Sequence, residues 1–167
     1  GMGGTMDATN IIEHPLLTVI SSISFDHKAV LGDTLEEIAS QKAGILKKGV
    51  PVVLSENPQN DKKVIEKRAS ELQSHCFSVS EKDYITIEEN EKGSHFKWNE
   101  MSFTTRLPGR HQISNAVTAL EAAKQLKLLW DPKNSLSEKA LFSGIEKTVW
   151  PGRLELLREK PLFYRDG

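Results

Sequence analysis

Apolar residues recur along this chain in two alternating rhythms. Residues 16–25, "LLTVISSISF", form a mostly apolar, β-rich run, the pattern of a strand covered on both faces. "DHKAVLG" follows as a loop. Leu31, Leu35, Ile38 and Ile45 then keep the spacing of one helix face, which predicts a helix over residues 34–48. Asp33, with Glu36 three residues on, matches a capping box at its start. Lys47 and Lys48 suit its negative end, and Gly49 is the stop. Pro51 opens "PVVLSE", a second short buried strand. Strand, helix and strand in this order predict a parallel crossover.

The rest of the chain repeats the helix signal and then changes character. "NDKKVIEKRASELQSH" is amphipathic, with Val64, Ile65, Ala69 and Leu72 on its apolar side, and "CFSVS" offers a third short strand. Residues 83–107 alternate apolar and polar positions around "NEKGS", which predicts an antiparallel hairpin or small meander. "HQISNAVTALEAAKQLKLL" is the clearest helix, rich in Ala and Leu. "SLSEKALFSGIEK" is another, with Ser135 or Ser137 as cap. "RLELL" and "LFYRD" read as strands around a turn at "REKP". The expected class is α/β: a mostly parallel sheet with flanking helices, plus a small antiparallel hairpin or meander.

Composition narrows this picture. The chain has 167 residues, 38% hydrophobic and 27% charged, enough for a domain with a real core. Its net charge of −1 provides no global field for nucleic acid or an anionic membrane. No apolar run approaches the roughly 20 residues that span a bilayer. Cys76 is the only cysteine, so no internal disulfide or cysteine-cluster metal site can form, which fits a reducing cytoplasm.

Five places carry candidate chemistry, each with a plainer reading beside it. Asp26 and His27 follow the carboxyl end of the first strand, where open α/β sheets bind ligands. His27 there is either a metal or phosphate ligand or a loop histidine bonded to backbone. Lys42 falls on the apolar stripe of its helix. Burying an ammonium is costly and favours the neutral amine, which can attack a carbonyl or CO₂. Alternatively, its stem packs and its charge reaches water at the helix end. "LPGRHQISNA" puts a Pro–Gly turn before a helix, whose start suits an anion, and Asn115 offers a paired donor and acceptor; the plainer reading is a turn and a surface amide. Arg153, after a second Pro–Gly turn, is either a phosphate clamp or a surface arginine. "GGTMDATN" combines glycines with Asp7 and Asn10, as a ligand loop or an Asx-turn would. No G-x-x-x-x-G-K-[ST] phosphate loop occurs in the sequence.

Four phrases, in this order, resemble the folylpolyglutamate synthase/dihydrofolate synthase family within the Mur-ligase superfamily: "GMGGTMDATN", "SISFDHKAVLGDTLEEIASQKAGI", "LPGRHQISNAVTALEAA" and "TVWPGRLELL". The resemblance implies an ATP-dependent amide ligase that activates a folate or dihydropteroate carboxylate as an acyl phosphate for attack by L-glutamate. It implies Mg²⁺ as cofactor and a monomer acting on small molecules. By resemblance His27 matches a magnesium ligand, and Lys42 a lysine carbamylated by CO₂ that becomes an anionic metal ligand. Asn115 matches an adenine contact, Arg153 a phosphate contact, Asp166 a ribose contact, and Asp7 the pterin-side loop. Gln41, Thr5 and "SFD" depart from the family's usual Glu, Arg and "GLD", which bears on substrate preference.

The same resemblance puts the family's phosphate loop and a glutamate metal ligand before Gly1, and most of a C-terminal domain after Gly167. A fragment is therefore expected. Residues 1–150 would be the later half of the ATPase domain, and 151–167 a linker and the first strand of the next. A non-catalytic nucleotide-binding or interaction module and a cell-wall Mur-type ligase are the alternatives.

Overall fold

Three short strands lie parallel: β1 (Thr18–Ile20), β2 (Val52–Leu54) and β3 (Cys76–Ser78), with β2 in the middle. Thr18 pairs with Val52, and Val52 with Cys76. The structure, a computed structural model, describes residues 4, 5, 7–24, 34–130, 133 and 136–166. Helices α1 (Leu35–Lys42) and α2 (Gln59–Glu71) connect the strands and cover one face of the sheet. Ile38 and Ala39 of α1 and Ile65 and Ala69 of α2 pack there with Val52 and Leu54. Each large aliphatic side chain buried this way contributes about 1.5–3 kcal/mol.

The opposite face is covered by α3 (Arg110–Trp130), which lies against β2. Val53 is fully buried, but Val19 of β1 remains 44% exposed. The expectation of a long first strand covered on both faces is therefore corrected. Among the described residues of this run only Thr18–Ile20 has strand geometry, and α3 lies over β2.

The predicted meander is β4 (Tyr84–Asn90), β5 (Gly93–Trp98) and β6 (Met101–Thr105). Tyr84, Phe96, Trp98 and Phe103 form its inner face and pack on Ile113, Val117 and Leu120 of α3. Helix α4 (Glu138–Lys147) closes this second core, with Phe142 stacked 4.7 Å from Phe103. Ser137 is its cap, accepting from the Ala140 amide. A final hairpin pairs β7 (Glu155–Glu159) with β8 (Leu162–Arg165).

Three boundaries differ from expectation. Helix α1 is capped by Thr34 with Glu37, one residue later than the Asp33–Glu36 box. It ends at Lys42 and tightens into a 3₁₀ turn over Ala43–Ile45, so it does not reach Lys48. Lys47 instead donates to the Asn10 carbonyl at 3.4 Å. Strand β7 begins at Glu155 because Leu154 has φ of +46°, which interrupts extended backbone.

Asp61, in the first turn of α2, is 1% exposed, and its Oδ2 has no hydrogen-bond partner. Desolvation, and then the like charge of Glu36, push its carboxyl above the usual carboxylate range. A raised acid pKa means the folded state holds the proton more tightly. Asp61's contribution is thus complete below the unfolded value of about 3.9 and is lost as pH rises through the folded value. Asp61→Asn should therefore raise the melting temperature at pH 7. The gain should shrink steadily as melts are repeated toward pH 4. A variant less stable than the original at pH 7 would show that the charge is compensated.

Candidate functional site

The site forms at the end of β1, where open α/β sheets bind ligands. The N-terminal segment is pressed on the corner that follows α1. The Gly4 amide donates to the Gln41 carbonyl at 2.7 Å. A Cβ on Gly4 would lie 2.6 Å from the Ile45 nitrogen, and one on Gly44 would lie 2.7 Å from the Thr5 nitrogen. Backbone therefore packs on backbone here, and neither position tolerates a side chain without a shift. The "KAG" phrase gains a reason: its glycine admits the segment carrying Asp7.

The contact creates a cleft of about 250 Å³ in which Asp7, Thr9, Ser21 and Lys42 supply polar groups and Val19 and Ile45 supply apolar wall. Lys42 is half-buried, the last residue of α1. An ammonium at a helix C-terminus is favoured by the helix dipole. The Asp7 Oδ1 accepts from the Thr9 amide at 2.9 Å and from the Thr9 hydroxyl at 2.7 Å, capping a 3₁₀ turn over Ala8–Ile11. These bonds hold its carboxyl below the usual range, and the positive charge of Lys42 acts in the same direction. Asp7 thus makes the Asx-turn of the plainer reading and lines the cleft as well.

The other predicted residues gather elsewhere. Arg153 is exposed and lines a cleft of about 240 Å³ with Lys92, Arg106 and Trp150. Asp166 Oδ1 accepts from the Leu154 amide at 3.2 Å, so Arg153 and Asp166 share one end of the β7–β8 hairpin. Leu154 and Tyr164 of this hairpin form a neighbouring cleft with Pro108 and Gly109, the turn that starts α3. Asn115 is exposed on α3, its amide donating to Gln112 Oε1 at 3.1 Å. The structure brings Asp7 to Lys42 and Arg153 to Asp166; neither cleft is lined by members of the other pair. His27 lies outside the described residues.

Sequence reasoning missed the three residues that follow β2. Ser55, 2% exposed, accepts from the Thr118 hydroxyl of α3 at 2.9 Å. Glu56 accepts from the Tyr84 hydroxyl of β4 at 3.1 Å. Asn57 accepts from the Ile23 amide beyond β1 at 2.5 Å. The only available signal was their place at the carboxyl end of a second parallel strand.

The oxygen donors of Asp7, Thr9 and Ser21 suit a hard cation such as Mg²⁺. The ammonium of Lys42 has donors only, so it joins such a set only after conversion to an oxygen ligand. Among the described residues no three His, Cys, Asp or Glu side chains converge on one point.

This architecture has known counterparts. Residues 6–123 match the Mur ligase middle domain, and the chain belongs to that family. It is 41% identical over its whole length to the dihydrofolate synthase/folylpolyglutamate synthase of Bacillus subtilis (strain 168), and spans 40% of that protein. It is 34% identical to the mitochondrial folylpolyglutamate synthase of Homo sapiens, of which it spans 30%. The folylpolyglutamate synthase structure from Thermotoga maritima superposes on all of the chain with a TM-score of 0.79 at 32% identity, the chain covering 38% of it. A folylpolyglutamate synthase–AMPPCP–folate complex does so with a TM-score of 0.85 at 27% identity, the chain covering 42% of it. The parallel sheet followed by an antiparallel one is the fold of these structures.

The glycine contact is testable. Gly44→Ala should cost about 1–3 kcal/mol, as overpacking does, read as a lowered midpoint in denaturant. A substitution on the open surface at Gly144, where an added Cβ meets nothing within 4 Å, should not show this loss. Equal midpoints for the two variants would mean that the Gly4–Gly44 contact is not tight.

Proposed function

We propose that this chain is part of an ATP-dependent amide ligase that adds L-glutamate to a folate or dihydropteroate acceptor through an acyl phosphate. The observation that carries this is Lys42 and Asp7 sharing one cleft at the end of the parallel sheet in a Mur ligase middle domain. The relatives' names, and a homologous structure holding AMPPCP and folate, support the substrate classes.

Each residue then has a role. The neutral amine of Lys42 attacks CO₂, forming an N–C bond, and loss of a proton leaves an anionic carbamate. His27 and this carbamate would hold Mg²⁺, which would supply charge neutralisation on the phosphates. Asp7 orients the acceptor at the mouth of the cleft. Arg153 clamps ATP phosphate, Asp166 takes the ribose, and Asn115 meets the adenine edge. The acceptor carboxylate attacks the terminal phosphorus, ADP leaves, and the glutamate amine displaces phosphate from the acyl carbon. Residues 1–150 belong to the ATPase domain, and 151–167 begin the next. The enzyme works as a cytoplasmic monomer. No described helix is long and apolar enough to cross a membrane.

A second reading is a non-catalytic nucleotide-binding module. These 167 residues hold no G-x-x-x-x-G-K-[ST] phosphate loop. The same lack predicts that the 167-residue chain alone adds no glutamate. Lys42→Ala in the full-length enzyme should abolish ATP-driven glutamate addition, and small carboxylic acids should partly restore it. Turnover equal to the unaltered enzyme would reduce Lys42 to a packing stem, whereas no glutamate addition by the unaltered full-length protein would leave the module as the better account.

A further inference from the structure

Arg153 sits between two residues of left-handed backbone. Trp150 to Arg153 form a turn closed by the Arg153 N–H, which donates to the Trp150 carbonyl at 3.3 Å. Pro151 and Gly152 are its middle residues, and Gly152 has φ of +75°, as the third place of a type II turn requires. Leu154 follows with φ of +46°. A leucine takes such a φ only where its surroundings impose it. Two carboxylates impose it here. Glu155 Oε2 accepts from the Gly152 N–H at 2.9 Å, and Asp166 Oδ1 accepts from the Leu154 N–H at 3.2 Å. The amides on either side of Arg153 are thus both held at the end of the β7–β8 hairpin.

The place of Glu155 needs a reason. With Glu91 it lines the same cleft as Lys92, Arg106 and Arg153, where a bare carboxylate would oppose an anion. Its charge is engaged instead. The Arg165 guanidinium donates to the same Oε2, through Nε at 3.1 Å and Nη2 at 2.5 Å. The Gly152 amide first, and then Arg165, hold the carboxyl below the usual range. We propose that Glu155 is a positioning residue for phosphate binding: through the Gly152 N–H it fixes the turn that carries Arg153, and so aims the guanidinium into the cleft. This rests on the phosphate role given to Arg153 above. The plainer role is a cross-strand pair with Arg165, which faces Glu155 in the hairpin register. An exposed ion pair contributes little stability and has no reason to alter phosphate binding.

The test uses the full-length enzyme, with AMPPCP and adenosine as probes read by titration calorimetry. Arg153→Ala removes a charge-assisted hydrogen bond, so it should weaken AMPPCP about 10–100-fold and leave adenosine, which has no phosphate, unchanged. Glu155→Ala should weaken AMPPCP about tenfold with the same selectivity. Glu155→Gln, which keeps an acceptor for the Gly152 N–H, should retain most of the affinity. In an Arg153→Ala background, Glu155→Ala should add no further loss, as expected of a residue that acts through another. Gly152→Ala, whose added Cβ meets nothing within 4 Å but whose φ disfavours a side chain, should repeat the selective loss without touching Glu155. The proposal is overturned if Glu155→Ala binds AMPPCP as the unaltered enzyme does while Arg153→Ala does not. It is equally overturned if Glu155→Ala weakens AMPPCP and adenosine by the same factor. Unchanged AMPPCP binding by Arg153→Ala would overturn it together with the phosphate role beneath it.

Discussion

The hydrogen bonds at the end of β2 constrain everything around them. β2 is buried along its whole length, and of the polar residues that follow it Ser55 is buried and Glu56 and Asn57 are half-buried. Buried polar groups must be paired, and the three side chains of Ser55, Glu56 and Asn57 are paired in three directions. Ser55 joins α3 through Thr118, Glu56 joins the antiparallel sheet through Tyr84, and Asn57 joins the chain leaving β1. Burial, and then the charge of Glu56, push the Tyr84 phenol up to about 12. Its proton is therefore in place at all physiological pH values, and the bond keeps one sense. In a low-dielectric interior such a network is worth most when complete. It is the means by which one strand end sets the relative placement of both sheets and the long helix.

A different constraint shapes the cleft. Lys42 stands where α1 gives way to the 3₁₀ turn, and this turn has room beneath the N-terminal segment only because Gly4 and Gly44 lack side chains. A packed stem and a functional amine were opposed readings of Lys42. The geometry makes them compatible: the stem is held by the wall of the cleft, and the helix end favours the charge.

Much of the fold was legible because it rests on local patterns. The long helix, the meander and the parallel pairing of β1 with β2 follow from periodicity. The capping frame slipped by one residue because Asp33–Glu36 and Thr34–Glu37 both satisfy the box, and the choice depends on packing. Strand β7 starts late because Leu154 adopts a left-handed conformation that nothing in "RLELL" signals. The hub after β2 was invisible because its bonds join residues 34, 28 and 63 positions apart. Lys42 was singled out by its place on a helix face and Asp7 by its glycine-rich loop, but that they share a cleft follows from a backbone contact no pattern records.

In the proposed ligase, charge in the cleft would tie a Lys42 carbamate to the cation. Asp7 is held anionic chiefly by its own turn, with the charge of Lys42 a smaller cause in the same direction. Beside it, the ammonium of Lys42 is attracted, whereas a carbamate on the same stem would be repelled. A cation that interacts with both oxygen groups removes this repulsion, so each of the two additions favours the other, by the reciprocity that governs any pair of linked ligands. In the proposed ligase, conversion of Lys42 to an oxygen ligand would therefore belong to the loaded site, beside a carboxylate that the Asp7 turn already holds in place.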